Sequence, residues 1–260
     1  MGHLGIRSKG CSVSRARFLV ETGTLERQSH ARLSGSELHH LRARRLRVGS
    51  ELVLFDGSGC ERVGMIEEVD HRHALIRLMS TSLPRRDSTL HLVLAQALLK
   101  PDRLDWLIEK ASELGVAEIV VFESAHSVSH GARARPERWR RVAESAAKQS
   151  QRRAVATISG PVEFGDVLSR CDENVRLFFW EQGPRAALAE IGGRVRNTSS
   201  VLAVVGPEGG FARAEVDMAV ASGFHLVGLT DRILRAETAA ITAVVLCQYL
   251  WGGVGRIPAE

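Results

Sequence analysis

Val201-Leu202-Ala203-Val204-Val205-Gly206-Pro207-Glu208-Gly209-Gly210-Phe211 is the stretch that decides the fold. Five consecutive apolar residues, 201 to 205, read as a strand buried on both faces, as in parallel sheets. The run ends in a glycine-rich loop, and residues 214 to 222 continue as a helix. A strand–loop–helix junction leaves unpaired backbone N–H groups at the C-terminal end of the strand, where open α/β sheets bind ligands. Glycines there let a ligand come close to the backbone; a tight structural turn would use the same residues. The loop lacks GxGxxG, and no GxxxxGK[ST] occurs in the chain, which removes the usual nicotinamide and P-loop nucleotide sites. Pro207 takes away an N–H that a phosphate cradle would use. The loop therefore suits a ligand without phosphates.

A second junction follows at Gly228-Leu229-Thr230-Asp231-Arg232-Ile233-Leu234-Arg235-Ala236-Glu237-Thr238-Ala239-Ala240. It too is a strand, a polar loop and a helix. Glu237 or Thr238 stands where a helix cap belongs, so a cap is the structural alternative to a site. The helix beyond is apolar on nearly every side, which predicts burial at an interface or deep against the sheet.

Working upstream, strand and helix patterns alternate from about residue 90, the mark of a parallel α/β sheet. Strands are expected at 90–97, 117–122, 175–180, 201–205 and 224–229. Helices are expected at 102–114, 138–151, 186–191, 214–222 and from about 238 to 251. Before residue 82 the pattern is short strands (17–20, 51–55, 62–69, 74–78) with one helix at 37–46, which suggests a small β-barrel. Pro84 among charged residues reads as a linker. The expected organisation is an extension over 1–14, a barrel over 15–82 and an α/β domain over 83–260.

The chain has 260 residues, a net charge of +5 and a pI of about 9.4. Of its 35 basic residues only Lys9, Lys100, Lys110 and Lys148 are lysine, so 31 are arginine. Arginine suits phosphates and stacks on bases, and a GC-rich genome would also enrich it. Clusters at Arg42, Arg44, Arg45 and Arg47, at 133–141, and at Arg152 and Arg153 match a nucleic-acid footprint. A solvated helix face is the plainer alternative for the middle one, where Glu137 and Glu144 are interleaved. No apolar run approaches a membrane span, and the first 14 residues lack the apolar core of a secretory signal. The four cysteines, Cys11, Cys60, Cys171 and Cys247, are far apart in sequence. No metal site and reduced, cytoplasmic thiols are expected.

The two junctions together closely resemble the RsmE family, the small-subunit ribosomal RNA uridine-N3 methyltransferases of the SPOUT superfamily. The resemblance rests on Val204 to Phe211 with Glu215, and on Leu229 with Arg232 to Ala239. Glu109-Lys110-Ala111-Ser112-Glu113-Leu114-Gly115-Val116, Arg138-Trp139 through Ser150, and the Arg17-Phe18 and Phe55-Asp56-Gly57 segments agree with it. It implies a SPOUT-type trefoil-knotted parallel-sheet domain, a small N-terminal PUA-like β-barrel, and a homodimer with its active site near the subunit interface. It also implies S-adenosylmethionine held by Gly206, Pro207, Glu208, Gly209 and Gly210 in one loop. Leu229, Leu234, Arg235, Glu237, Thr238 and Ala239 would hold it in the other, with Trp180 as a third wall. The implied partner is 16S ribosomal RNA of the small ribosomal subunit. Two departures stand out, His126 where the family usually has arginine and Lys148 where it has an acid; neither is expected to touch the two loops.

Uracil N3 must lose its proton before it can accept a methyl group, so its anion needs a base or a stabiliser. Arg235 is the candidate stabiliser, and Glu237 would orient Arg235 or cap the last helix. Arg17, Arg44, Arg45, Arg47, Lys110 and Arg152 are candidate RNA contacts. A catalytically inactive RNA-binding or assembly factor on the same fold is the alternative function.

Overall fold

The computed structural model describes residues 15–82, 88–127, 135–170, 172–182 and 185–255, with no side-chain description for 80–82. The expected N-terminal extension, the linker at 83–87, Cys11, Cys171 and Arg133 lie outside these residues. The chain divides into two compact units at Leu83/Pro84, with the turn Gly57–Gly59 counted to the second.

The first unit contains β1 (Arg17–Leu19), α1 (Thr24–Arg27), β2 (His30–Ser34), α2 (Gly35–Ala43), β3 (Glu51–Phe55), β4 (Glu61–Val69) and β5 (His73–Ser82). Its sheet runs β1-β3-β4-β5-β2, antiparallel except for β1 against β3. Two register shifts between β4 and β5 are the bulges that bend such a sheet around its apolar side. Gly64 lies at one of them, and a Cβ there would sit 2.5 Å from the Ile76 side chain. Phe18, Leu33, Leu41, Leu52, Leu54, Ile66 and Ile76 fill the interior. Among the described residues no ladder joins β1 to β2, so the expected barrel is seen as a five-stranded sheet around one core. The helix expected at 37–46 begins earlier and stops at Ala43, because Arg45 adopts a left-handed conformation with φ 56.

The second unit continues with β6 (His91–Ala97), α3 (Pro101–Glu113), β7 (Glu118–Glu123), α4 (Pro136–Gln149), β8 (Thr157–Glu163), α5 (Phe164–Leu168) and β9 (Val175–Phe179). It ends with β10 (Ala186–Ala187), α6 (Leu188–Arg194), β11 (Ser200–Val205), α7 (Arg213–Ala221), β12 (His225–Gly228) and α8 (Ala236–Trp251). All seven strands are parallel, in the order β10-β12-β9-β11-β6-β7-β8.

Strand alternation sends successive side chains to opposite faces. Val201, Ala203 and Val205 join Leu92, Leu94, Val175 and Leu177 under α3, α4, α6 and α8. Leu202 and Val204 join Val93, Ala95 and Phe178 under α5 and α7. This double cover is why the 201–205 run is apolar at every position and no more than 2% exposed. Helix α3 buries Leu104, Leu107, Ile108 and Ala111, at the spacing of one helical face. It ends beside Gly115, whose φ of +94 favours glycine.

Because β9, β11 and β12 are parallel and β9 lies between the other two, their C-terminal loops open at one end of the sheet. Under the middle of that end Phe178 and Phe211 meet at a tilt, 4.2 Å between centroids, with Phe122 and Phe164 around them. Phe178 is fully buried. Replacing it by alanine should cost about 3–5 kcal/mol of stability, measured by urea unfolding; a loss below about 1 kcal/mol would show that the cluster relaxes around the gap.

Candidate active site

A cavity of about 440 Å³ opens at the C-terminal end of β9, β11 and β12. The β9 end supplies Phe179, Trp180, Glu181 and Gln182. The β11 loop supplies Gly206, Pro207, Glu208, Gly210 and Phe211. The β12 loop supplies Leu229, Thr230 and Arg232 to Ala236, followed by Ala239. Of the twelve residues expected to hold the cofactor, Trp180, Gly206, Pro207, Glu208, Gly210, Leu229, Leu234, Arg235 and Ala239 line it. Gly209, Glu237 and Thr238 do not line it.

Each glycine of the first loop answers to a neighbour. A Cβ on Gly206 would meet the Phe211 ring at 2.9 Å, one on Gly209 the His126 Cβ at 2.9 Å, and one on Gly210 Glu181 Oε1 at 2.7 Å. Gly210 also has φ +70, where L side chains are strained. The Gly206 carbonyl accepts a hydrogen bond from Gln96 Nε2 at 3.0 Å, and Gln96 is fully buried at the end of β6. Glu215 closes the far side of the loop: one carboxylate oxygen accepts from Ala212 N at 2.8 Å, the other from Ala125 N at 3.0 Å.

His126 contradicts expectation. It packs on Gly209, and its Nδ1 lies 3.3 Å from the Gly210 carbonyl. The departure from the family pattern thus touches the first loop directly. Sequence distance hid this, since 84 positions separate His126 from Gly210.

The second loop also differs from its expected roles. Helix α8 starts at Ala236, so Arg235 is the N-cap residue and Glu237 lies inside the first turn, making no side-chain cap. Glu237 does not pair with Arg235. Its Oε2 lies 3.7 Å from Arg103 Nη1, which also donates to Glu208 Oε1 at 3.2 Å. Arg103, on the first turn of α3, escaped the sequence reading; nothing local to Asp102-Arg103-Leu104 marks it. Arg235 is exposed at the cavity and pairs with no carboxylate among the described residues.

The candidate RNA contacts fall into two groups. Arg44, Arg45 and Arg47 are exposed. Arg44 also donates to His40 Nε2 at 3.3 Å, and the other three are more fully engaged within the protein. Arg17 pairs with Glu61 at 2.5 Å, with its side chain only 9% exposed and its guanidinium over the Phe55 ring. Arg152 donates to the Ser112 and Val116 carbonyls at 2.7 and 2.9 Å. Lys110 donates to Glu109 and Glu113 at 2.6 and 2.9 Å, hydrogen bonds that hold its ammonium pKa above the usual value. Burial pushes the Cys247 thiol up to about 12, which leaves it inert. Among the described residues no group of three His, Cys, Asp or Glu could hold a metal, and no helix is long and apolar enough to cross a membrane.

Comparison with known proteins bears directly on this cavity. Residues 86–248 match the RNA methyltransferase domain and residues 33–79 the RNA methyltransferase PUA domain. The ribosomal RNA small subunit methyltransferase E of Bacillus subtilis is 30% identical over 227 residues, 84% of this chain and 89% of that protein. The chain belongs to the ribosomal RNA small subunit methyltransferase E family. The family protein of Aquifex aeolicus is 30% identical over 82% of this chain and 91% of its own length. The Neisseria gonorrhoeae methyltransferase E structure bound to S-adenosylmethionine superposes with a TM-score of 0.83 at 28% identity, covering 92% of this chain and 99% of that one. A Legionella pneumophila structure with bound S-adenosylmethionine gives 0.82 at 27%, with the same coverage.

The fit of the family's glycine loop to its surroundings is testable without any ligand. Gly206→Ala should lose about 1–3 kcal/mol, because the Phe211 ring must leave a filled cluster. An unchanged thermal midpoint would show that the ring moves freely.

Proposed function

We propose that this chain transfers the methyl group of S-adenosylmethionine to N3 of a uridine in 16S ribosomal RNA of the small subunit. The observation that carries the reading is the three-loop cavity at the ends of β9, β11 and β12, in a chain of this family. Its volume of about 440 Å³ lies within the usual range for small-molecule sites. Its lining suits the cofactor. Apolar walls come from Phe179, Val205, Leu229 and Leu234; the carboxylates of Glu181 and Glu208 favour a cation; and Pro207 offers no donor to a phosphate. Gly206, Pro207, Glu208, Gly210, Leu229, Leu234, Arg235 and Ala239 would hold it, and Gly209, Glu237 and Thr238 would shape the loops.

When bound, S-adenosylmethionine supplies an electrophilic methyl group on a sulfonium. Arg235 is the side chain assigned to the nucleophile. Its guanidinium, without a carboxylate partner among the described residues, would stabilise the uracil anion formed when N3 gives its proton to water, and would hold the base in line. Arg232, exposed on the same loop, adds positive charge for the RNA backbone. Arg44, Arg45 and Arg47 are the proposed phosphate contacts of the N-terminal unit. The work is done in the cytoplasm, where small ribosomal subunits are met.

Arg235→Ala should weaken S-adenosylmethionine binding by no more than about tenfold while lowering kcat by roughly 10²–10³. Isothermal titration and mass mapping of methyluridine in small-subunit RNA read the two effects. Full turnover by the variant would remove Arg235 from the chemistry, and a wild-type chain that neither binds the cofactor nor methylates the RNA would favour an inactive assembly factor.

We also propose that the chain works as a homodimer through the outer face of α8. Ala240, Ala243, Val244, Cys247 and Trp251 are buried, whereas Ile241 and Val245 are half-buried and Tyr249 is 63% exposed. These three recur every four residues and form one apolar stripe. Val245→Glu should shift the mass seen by light scattering from two chains to one and reduce methyl transfer about tenfold or more. Wild-type protein that runs as a monomer at micromolar concentration would count against the dimer.

A further inference from the structure

We propose that Arg103 is a positioning residue that locks the two cavity loops to each other through Glu208 and Glu237. The proposal rests on the reading of the cavity as the S-adenosylmethionine site and assigns a part of it that the two motif loops do not contain.

Glu208 belongs to the loop after β11, and Glu237 to the turn that ends the loop after β12. Arg103 comes from neither. Its Nη1 stands 3.2 Å from Glu208 Oε1 and 3.7 Å from Glu237 Oε2. The side chains are 34%, 21% and 13% exposed for Arg103, Glu208 and Glu237. Glu237 Oε2 is shielded from solvent and has no hydrogen-bond partner among the described residues, so the nearby guanidinium is what offsets its charge. Without Arg103, two partly desolvated carboxylates would face each other across the loops, and like charges in that setting repel.

The placement of Arg103 runs against local preference. It sits in the first turn of α3, after Pro101 and Asp102, where the helix dipole favours anions. A residue that breaks a local rule marks a site where another requirement wins. The same β6–α3 segment contributes Gln96, which holds the Gly206 carbonyl at the opening of the first loop. Gln96 and Arg103 thus grip that loop at two points, the backbone at its start and the carboxylate beyond Pro207. Arg103 then extends the grip to the second loop. An isolated surface ion pair would be worth little; the shared geometry and the shielded Glu237 oxygen set this one apart.

The test compares Arg103→Met, which keeps bulk and removes charge, with Arg103→Lys, using the full chain. Titration calorimetry reads S-adenosylmethionine binding, and steady-state kinetics use small-subunit RNA as acceptor. In Arg103→Met the Kd and KM for the cofactor should rise together by about tenfold or more. Its kcat at saturating cofactor should stay within about threefold. Arg103→Lys should recover most of the binding, and circular dichroism should match wild type for both variants. Arg103→Met combined with Glu237→Gln should bind within about twofold of Arg103→Met alone, because the two act as one unit. Wild-type affinity in Arg103→Met overturns the proposal. So does an equal loss in the lysine variant, a loss confined to kcat, or full additivity in the double variant. A wild-type chain that binds no cofactor overturns the site reading itself, an outcome distinct from normal wild-type binding with an unaffected Arg103→Met.

Discussion

The pairing of β11 with β9 on one side and β6 on the other is the constraint on which the second unit depends. Residue by residue, Val201 to Val205 are in register with Val175 to Phe179 and with Leu92 to Gln96. All three strands run the same way, so none can end in a hairpin to its neighbour. Each must leave through a loop at the same end and return by a crossover. Three such exits, from β9, β11 and β12, are side by side. The cavity is the consequence of that adjacency, and the glycines, prolines and acids of the loops are fitted to it.

What can be read along the chain is what depends on neighbours along the chain. The 201–205 strand declares itself because burial on both faces demands an apolar residue at each position. The two loops declare themselves because glycine and proline answer to local backbone needs. The same reasoning misses β2, where His30-Ala31-Arg32-Leu33-Ser34 offers only two buried positions. It also misses β8, an edge strand paired only with β7 and never fully buried. It reads residues 186–191 as helix throughout, although Ala186 and Ala187 pair with β12 and the helix starts at Leu188. Strands at sheet edges bury too few side chains to mark themselves by an apolar run.

The site was legible as two segments and illegible as a set of partners. Glycine spacing announced that something approaches residues 206 to 210. It could not announce that the approach on the inner side is made by Phe211, His126 and Glu181. Charge is harder still, because an arginine looks the same in sequence whether it faces a phosphate or a carbonyl. Arg152 stands in a basic cluster, yet its guanidinium ties the end of α3 to the turn before β7 through two backbone oxygens. Arg17 stands beside Arg15 at the start of the described N-terminal unit, yet its side chain is turned in against Glu61. A basic cluster is a footprint only after such internal duties are subtracted.

That subtraction sorts the charges around the cavity as well. Glu208, on the wall, and Glu237, behind it, are both matched to Arg103, a cation already occupied by them. Arg213 is engaged with Asp217 at 3.1 Å and lies over the Trp180 ring. Arg232 and Arg235, on the loop after β12, remain exposed without a carboxylate partner among the described residues. A site built for a cationic methyl donor and a polyanionic acceptor has to present both signs within a few ångströms without letting them cancel. Here two of the carboxylates are held by an arginine from α3, while the guanidiniums of Arg232 and Arg235 stand exposed on the loop after β12. Separation of sign is therefore a matter of which arginine is already spent. Arg103, the residue least visible in the sequence, is spent on Glu208 and Glu237.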